Sequence, residues 1–415
     1  MNSADGTQLT NFPARGGKKR QSRAARSVWA NVVLLGVMGC QRSCDRAPHQ
    51  DPNAATLAQA IPVAQLALVT NNGSDSLSLL DLSASGATRT LSLDFDARRE
   101  APHHLALTAD RLFVALAHPR EAPPNPRDHR AHGRSATTPG EIAVLARADL
   151  RLTTRLTVDE SPGDLQVTHA GDRLLVTHFD LARAFEGAAR GAAPRELFAT
   201  LQVWDTRALH KLEARALCVA PHGIAISDDD RTAFVACYGS DELAIVDLSR
   251  PGLATDKIPL GTAPGPLGAP AYGPYAATLT PDQREVLVST MEGQAVAVFD
   301  RERRTFVASV PVRARAMLSC MHSTHVAYVP LAAPDGLVRL ERRDGAWSET
   351  GRSALDGRCL NPHAAVCSSG GALWVVCEGD HRSSGVVLAV DPQTLAPTAR
   401  FEVGVYPDGM TLALP

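Results

Sequence analysis

One pattern returns about seven times along the chain and leaves little freedom of fold. At Pro221 the sequence reads P-H-G-I-A-I-S-D-D-D-R-T-A-F-V-A-C-Y-G-S-D-E-L-A-I-V-D-L, and at Pro274 it reads P-Y-A-A-T-L-T-P-D-Q-R-E-V-L-V-S-T-M-E-G-Q-A-V-A-V-F-D. Related copies begin near Pro102, Pro162, Arg315, Pro362 and Pro407. Each copy holds short apolar runs rich in β-branched residues between Asp- and Gly-rich turns, which is strand patterning and not helix patterning. Strand repeats of this length pack radially, one blade per repeat, into a closed ring. The sequence therefore predicts an all-β, seven-bladed β-propeller over residues 63–415.

Within a copy, an innermost strand (Ile224 to Ile226) precedes a polar turn, a second strand (Phe234 to Ala236) and a strand ending in an acid. The acid recurs as Asp81, Asp205, Asp247, Asp300, Glu341 and Asp391; the copy at Glu141 departs from it. A carboxylate there accepts backbone N–H groups two residues on and closes the next turn, so this column is structural. The chain ends on Tyr406 to Leu414, an inner strand alone, and Leu66 to Asp81 lacks that strand. Together they make one blade, which closes the ring and removes a bare sheet edge.

Leu68-Val69-Thr70-Asn71 is nearly the signature of the YVTN β-propeller repeat family, and the copy at Pro221 follows that family's pattern along its length. The chain resembles this family over roughly residues 62 to 415. The resemblance implies a seven-bladed, often exported propeller, and it implies no particular activity.

Residues 1–40 read as a signal segment. Lys18, Lys19, Arg20, Arg23 and Arg26 precede an apolar stretch from Val28 to Met38, too short to span a bilayer. The stretch ends at Gly39-Cys40, which resembles a lipoprotein signal with Cys40 as the lipidated residue. An ordinary secretory signal and a simple membrane anchor stand as alternatives. Gln41 after the cysteine is the sorting pattern of the outer membrane, and residues 41–62 read as a flexible tether. The expected location is the periplasm or the outer membrane, with a lipid anchor and a monomeric chain. The net charge of -2 and the absence of a basic stripe argue against nucleic acid.

Of eight cysteines, six lie in the repeats. Cys218 and Cys359 precede inner strands, and Cys237 and Cys377 end the second strands of the same blades. Cys218–Cys237 and Cys359–Cys377 are the expected disulfides, consistent with an oxidising compartment. Cys320 and Cys367 occupy matching positions on neighbouring inner strands, where pairing is open. There is no C-x-x-C zinc spacing and no C-x-x-C-H, so no covalent haem is expected.

The residue after the repeat's proline forms a column around the ring: Asp408, His103, Gly163, His222, Tyr275, Ala316 and His363. His363, Asp408 and His103 fall on consecutive blades and offer a ligand set for a divalent metal. His104 and His222 could extend it, and His118, His178 and His381 sit at the same face. The plain alternative is a rim of polar residues that bond a neighbouring blade's backbone or sit in channel water. Insertions at 119–140 and 179–198, the second Ala-rich enough for a short helix, and the connection from Gly261 to Pro274 overhang this mouth. The expected binding residues are His103, His104, His222, Tyr275, His363 and Asp408.

Three functions fit. The first is an envelope-anchored binding or scaffolding module for a protein or small molecule, without catalytic residues. The second is a metal-dependent, lactonase-like hydrolase. The third is an accessory to a periplasmic electron-transfer system. No nucleophile elbow, P-loop or dinucleotide fingerprint is present.

Overall fold

The computed structural model describes residues 66–82, 86–119 and 138–413. The signal segment, Cys40, the tether and most of the first insertion lie outside the described residues.

Seven antiparallel sheets form the blades of a propeller. Blade 1 combines Leu66–Asn71, Ser76–Asp81 and Thr88–Ser92 with the C-terminal strand Pro407–Leu412 on its inner edge. That strand pairs Leu412 with Ala67 and Pro407 with Asn71, so both ends of the chain share one blade as the repeat pattern predicts. The inner strands of blades 2 to 5 are Pro102–Leu107, Pro162–Val167, Pro221–Ile226 and Pro274–Leu279, and that of blade 7 is Pro362–Cys367.

Alternation along each strand sends one set of side chains to each neighbouring blade, so both faces of a blade are buried. The apolar core accordingly falls into clusters that each join two adjacent blades. Leu68 and Leu79 of blade 1 pack with Val114 and Ala143 of blade 2. Round the ring, Trp374 and Val387 of blade 7 meet Ala67, Val69 and Leu80 of blade 1. Closure therefore depends on burial at that last seam as well as on strand pairing.

The acid column behaves as expected of turn-closing carboxylates. Asp205 accepts from the N–H groups of Arg207 and Ala208 at 2.8 and 2.6 Å, and Asp391 accepts from Gln393 and Thr394 at 2.9 and 2.7 Å.

Blade 6 departs from the repeat. Its inner edge is broken into Arg315–Ala316 and Cys320–Ser323. Between them Leu318 leaves its own sheet and bonds to blade 7, donating to His363 O at 3.0 Å and accepting from Ala365 N at 2.9 Å. The Cys320–Cys367 disulfide fastens this crossing, with a Cα–Cα separation of 5.7 Å. Cys218–Cys237 and Cys359–Cys377 are also bonded, as expected.

Candidate functional site

The inner strands aim their second residues by a shared device. In blade 4, Pro221 faces Cys237 and Ile224 faces Val235, so the inner strand carries one residue more than its partner. The same shift occurs between Pro102 and Leu105, Pro162 and Leu165, Pro274 and Ala276, and Pro362 and Ala364. A bulge of this kind turns its extra residue out of the regular pleat. The residue before each proline has left-handed φ: Ala101 46°, Ser161 52°, Ala220 50°, Gly273 58°, Asn361 52° and Tyr406 56°. L-residues seldom adopt that conformation, and it bends each chain sharply into the axis. Inner strands approach closely there, and a Cβ on Gly223 would lie 2.6 Å from Ala276 Cα.

Around this bulged ring the structure gathers all six expected binding residues. His222, His363 and Asp408 are fully buried, and His103, His104 and Tyr275 nearly so. They are therefore not exposed to solvent, although His222 and His363 do bond a neighbouring blade's backbone, at Tyr275 O and Asp408 O, each at 3.1 Å. Residues Leu181–Ala189 form a helix, α1, capped by Asp180, whose carboxylate accepts from Arg183 N at 2.8 Å. Phe179, Leu181 and Ala184 pack with Tyr238, Tyr275, Met291 and Met317 above the ring. The Gly261–Gly273 connection completes the cover, held by Asp241, which accepts from the N–H groups of Gly265, Ala271, Tyr272 and Gly273 at 2.7 to 2.9 Å. Helix α1 and the Gly261–Gly273 connection cover this face where the sequence suggested a binding surface.

The opening lies along the channel instead. A cavity of about 170 Å³ runs between the inner strands, walled by Ala277, Thr278, Leu318, Ala365 and Val366. His104, Asp164 and Asp408 also line it. Depressions of about 570 and 390 Å³ lie among charged turn residues such as Arg284, Arg303, Asp247 and Arg250, without converging buried groups.

His104 Nδ1 bonds to Asp164 Oδ1 at 2.8 Å. Asp164 also accepts from the N–H groups of Leu165 and Ile224, each at 2.8 Å. His103 Nδ1 bonds to Asp408 Oδ2. His222 Nδ1 donates to the Tyr275 carbonyl at 3.1 Å, and the two rings stack 4.0 Å apart. His103, His104 and His222 each offer a ligand atom within 4.8 Å of the others. The Nε2 atoms of His104 and His222 are buried without a hydrogen-bond partner.

His363 plays a different part from the one expected. Its Nδ1 lies 3.0 Å from Asp408 Oδ1, and its Nε2 lies 3.0 Å from the Tyr275 hydroxyl. Both of its nitrogens are thus engaged, one by Asp408 and the other by Tyr275. Burial opposes charge on His363, yet Asp408 and Glu378 outweigh it and push its pKa up to about 9. Burial also opposes charge on Asp408, but His103 and His363 hold it well below the usual carboxylate range. Burial keeps His103 below the ordinary imidazole value despite the carboxylate beside it. Burial, followed by the His104 and His103 rings, lowers His222 much further. Burial raises the Tyr275 hydroxyl well above its ordinary value, so it stays protonated. The ring thus sets His363 against Asp408 as an ion pair, while burial disfavours charge on His103 and His222.

The other face histidines serve local structure. His118 bonds to Arg99 O and Glu141, both at 3.1 Å, and His178 bonds to Thr200 O at 2.9 Å. His381 reaches Glu378 at 2.8 Å and stacks on Tyr406.

Two functional neighbours escaped the sequence reading. Gly163 occupies the column in blade 3 and so does not mark Asp164, although aligning Pro162-Gly163-Asp164-Leu165 with Pro102-His103-His104-Leu105 places Asp164 opposite His104. Glu378 follows a second strand, and no repeat register points it inward.

No protein-family model matches the chain, and no curated protein matches it. Solved structures do. A periplasmic gluconolactonase of Pseudomonas aeruginosa is 18% identical, with a TM-score of 0.62 over 84% of this chain and 99% of that one. A protein of unknown function from Desulfotomaculum acetoxidans is 10% identical, with a TM-score of 0.60 over 85% and 99%. Hydrazine synthase of Kuenenia stuttgartiensis is 15% identical, with a TM-score of 0.54 over 76% and 90%. At these identities the likeness establishes the fold alone, the seven-bladed β-propeller that the repeats predict.

Proposed function

We propose that this protein is a binding propeller of the cell envelope that takes a small polar molecule into its central channel. The observation that carries this reading is the cavity of about 170 Å³ on which His104, Asp164 and Asp408 converge. Buried polar groups that meet at the end of an apolar-walled channel are the usual makings of a small-ligand site. The volume is below the roughly 300–1,000 Å³ of drug-sized pockets, so the ligand is of small-metabolite scale. The lipid anchor at Cys40 is part of this proposal, and the three disulfides support an oxidising compartment. Protein scaffolding gains no support at the insertion-bearing face, where the cover packs on its own apolar core.

A second reading is lactonase-like hydrolysis at the same place. It draws support from the shared architecture with the Pseudomonas gluconolactonase and from the Tyr275–His363 contact, which sets a proton donor beside the buried ring.

The test is uptake of a mixture of small polar metabolites by saturation-transfer NMR, alongside pH-stat hydrolysis of glucono-1,5-lactone. The binding reading expects signals that vanish in Ala365→Phe, which fills the channel, and hydrolysis no faster than buffer. Turnover abolished by the same substitution would move the assignment to the hydrolase. Signals indifferent to Ala365→Phe would sink both.

A further inference from the structure

We propose that His103, His104 and His222 form a centre for one divalent first-row transition metal, at the closed end of the channel. The inference rests on the reading that this end of the channel is the functional site, and it adds what holds the ligand there.

Three observations carry it. First, the three residues come from the bulged positions of two blades, and their candidate ligand atoms lie within 4.8 Å of one another. Nitrogens bound to a metal at about 2.0–2.1 Å sit roughly 3.4 Å apart, so the rings need close by no more than about 1.4 Å. Second, each ring is oriented from behind. Nδ1 of His103 is held by Asp408, that of His104 by Asp164, and that of His222 by the Tyr275 carbonyl. An imidazole whose Nδ1–H is tied to a carboxylate or carbonyl presents its Nε2 lone pair, which is how metal-binding histidines are usually fixed. Third, the Nε2 atoms of His104 and His222 are buried with no hydrogen-bond partner, and the one recorded charged contact of His104 Nε2 is Asp408 Oδ1 at 3.9 Å. A buried polar atom left unpaired is costly, and two in one small space need a common explanation. A cation between them supplies one.

The donor set selects the metal. Imidazole nitrogens suit zinc, copper, nickel and cobalt, and they do not suit magnesium or calcium. Three protein ligands leave a coordination position open. His104 and Asp408 line the channel cavity, so the open position would be supplied from there. The other compact group, Glu100, His118 and Glu141, does not match this pattern. Arg98 and Arg155 approach Glu141 at 3.2 and 3.1 Å and oppose a cation, and both His118 nitrogens are already bonded.

The experiment is calorimetric titration of Zn²⁺ and Co²⁺ into the full chain, purified in detergent and stripped of metal. Visible absorption of the cobalt form reports the donor set. One equivalent per chain is expected, with the intense d–d bands of a four-coordinate nitrogen site. His104→Gln and His222→Gln, which keep bulk in place, should each weaken binding at least 100-fold. Asp164→Asn, a positioning change, should weaken it about 10- to 100-fold. His118→Gln, in the other group, should change nothing. Thermal melts of the metal-free variants confirm that they are folded. A folded wild-type chain that takes up no metal would overturn the proposal, as would binding that survives both His104→Gln and His222→Gln. Metabolite uptake by a chain that binds no metal would leave the channel site standing and remove only the metal. Metal binding without metabolite uptake would do the reverse.

Discussion

The Phe179 ring stands edge-on to the His222 ring, with centroids 4.8 Å apart and planes at 76°. Phe179 is where the chain leaves blade 3 for helix α1, so the insertion reaches its cover through direct contact with the histidine ring it hides. Removing a buried phenylalanine ring costs about 3–5 kcal/mol. Phe179→Ala should lower the unfolding free energy from urea titration by about 3 kcal/mol, near the bottom of that range. It should also speed modification of His222 by diethyl pyrocarbonate, read by mass spectrometry. Unchanged His222 reactivity would mean that the cover does not depend on this contact.

Ring closure is carried by the C-terminal strand. Pro407–Leu412 pairs with Leu66–Asn71, and Asp408 from the same strand bonds to His103 of blade 2 and His363 of blade 7. Deleting residues 407–415 should expose the edge of blade 1, produce aggregates on size-exclusion chromatography and abolish cooperative unfolding. A monomeric deletion product with an unchanged melt would show that the seam packing alone closes the ring.

The disulfides should rank by loop length. Cys320–Cys367 spans 47 residues and Cys218–Cys237 spans 19. Loop entropy alone gives about 4 and about 3 kcal/mol for them. Cys320→Ser with Cys367→Ser should therefore cost more in denaturant unfolding than Cys218→Ser with Cys237→Ser. The broken inner edge of blade 6, which relies on that crossing, adds in the same direction. The opposite order would point to strain or to residual structure in the unfolded chain.

Glu100 makes stability depend on pH. It is fully buried, and burial first, with the charge of Asp96 second, pushes its pKa up from 4.5 to about 7. Between these two values native Glu100 holds more proton than unfolded Glu100, so its contribution to stability falls as pH rises from about 4.5 to about 7 and is then constant. The loss is at most about 3 kcal/mol. Glu100→Gln should remove this slope from urea midpoints taken between pH 4.5 and 7.5. A slope that persists in the variant would assign it to other groups.

The blades were legible because alternation, turn residues and the terminal acids repeat along the chain, and each is a local signal. Closure was legible because the end at Pro407 supplies the strand that the start at Leu66 lacks. The inward residues were legible as a column because one proline sets the same bend in each blade. Their surroundings were not. Whether His222 meets water or Phe179 depends on an insertion docking from another blade, and the short run Leu181–Ala189 does not state its target. The roles of His103 and His363 hinge on how Asp408 divides its two oxygens between them, a three-blade relation that no single repeat encodes.

The most direct measurement is anomalous diffraction from crystals soaked in Co²⁺, recorded on both sides of the cobalt edge. The account predicts one strong peak at the closed end of the channel, at about 2.1 Å from a nitrogen of each of His103, His104 and His222. No peak there, or a peak only at exposed histidines such as His169, would contradict it.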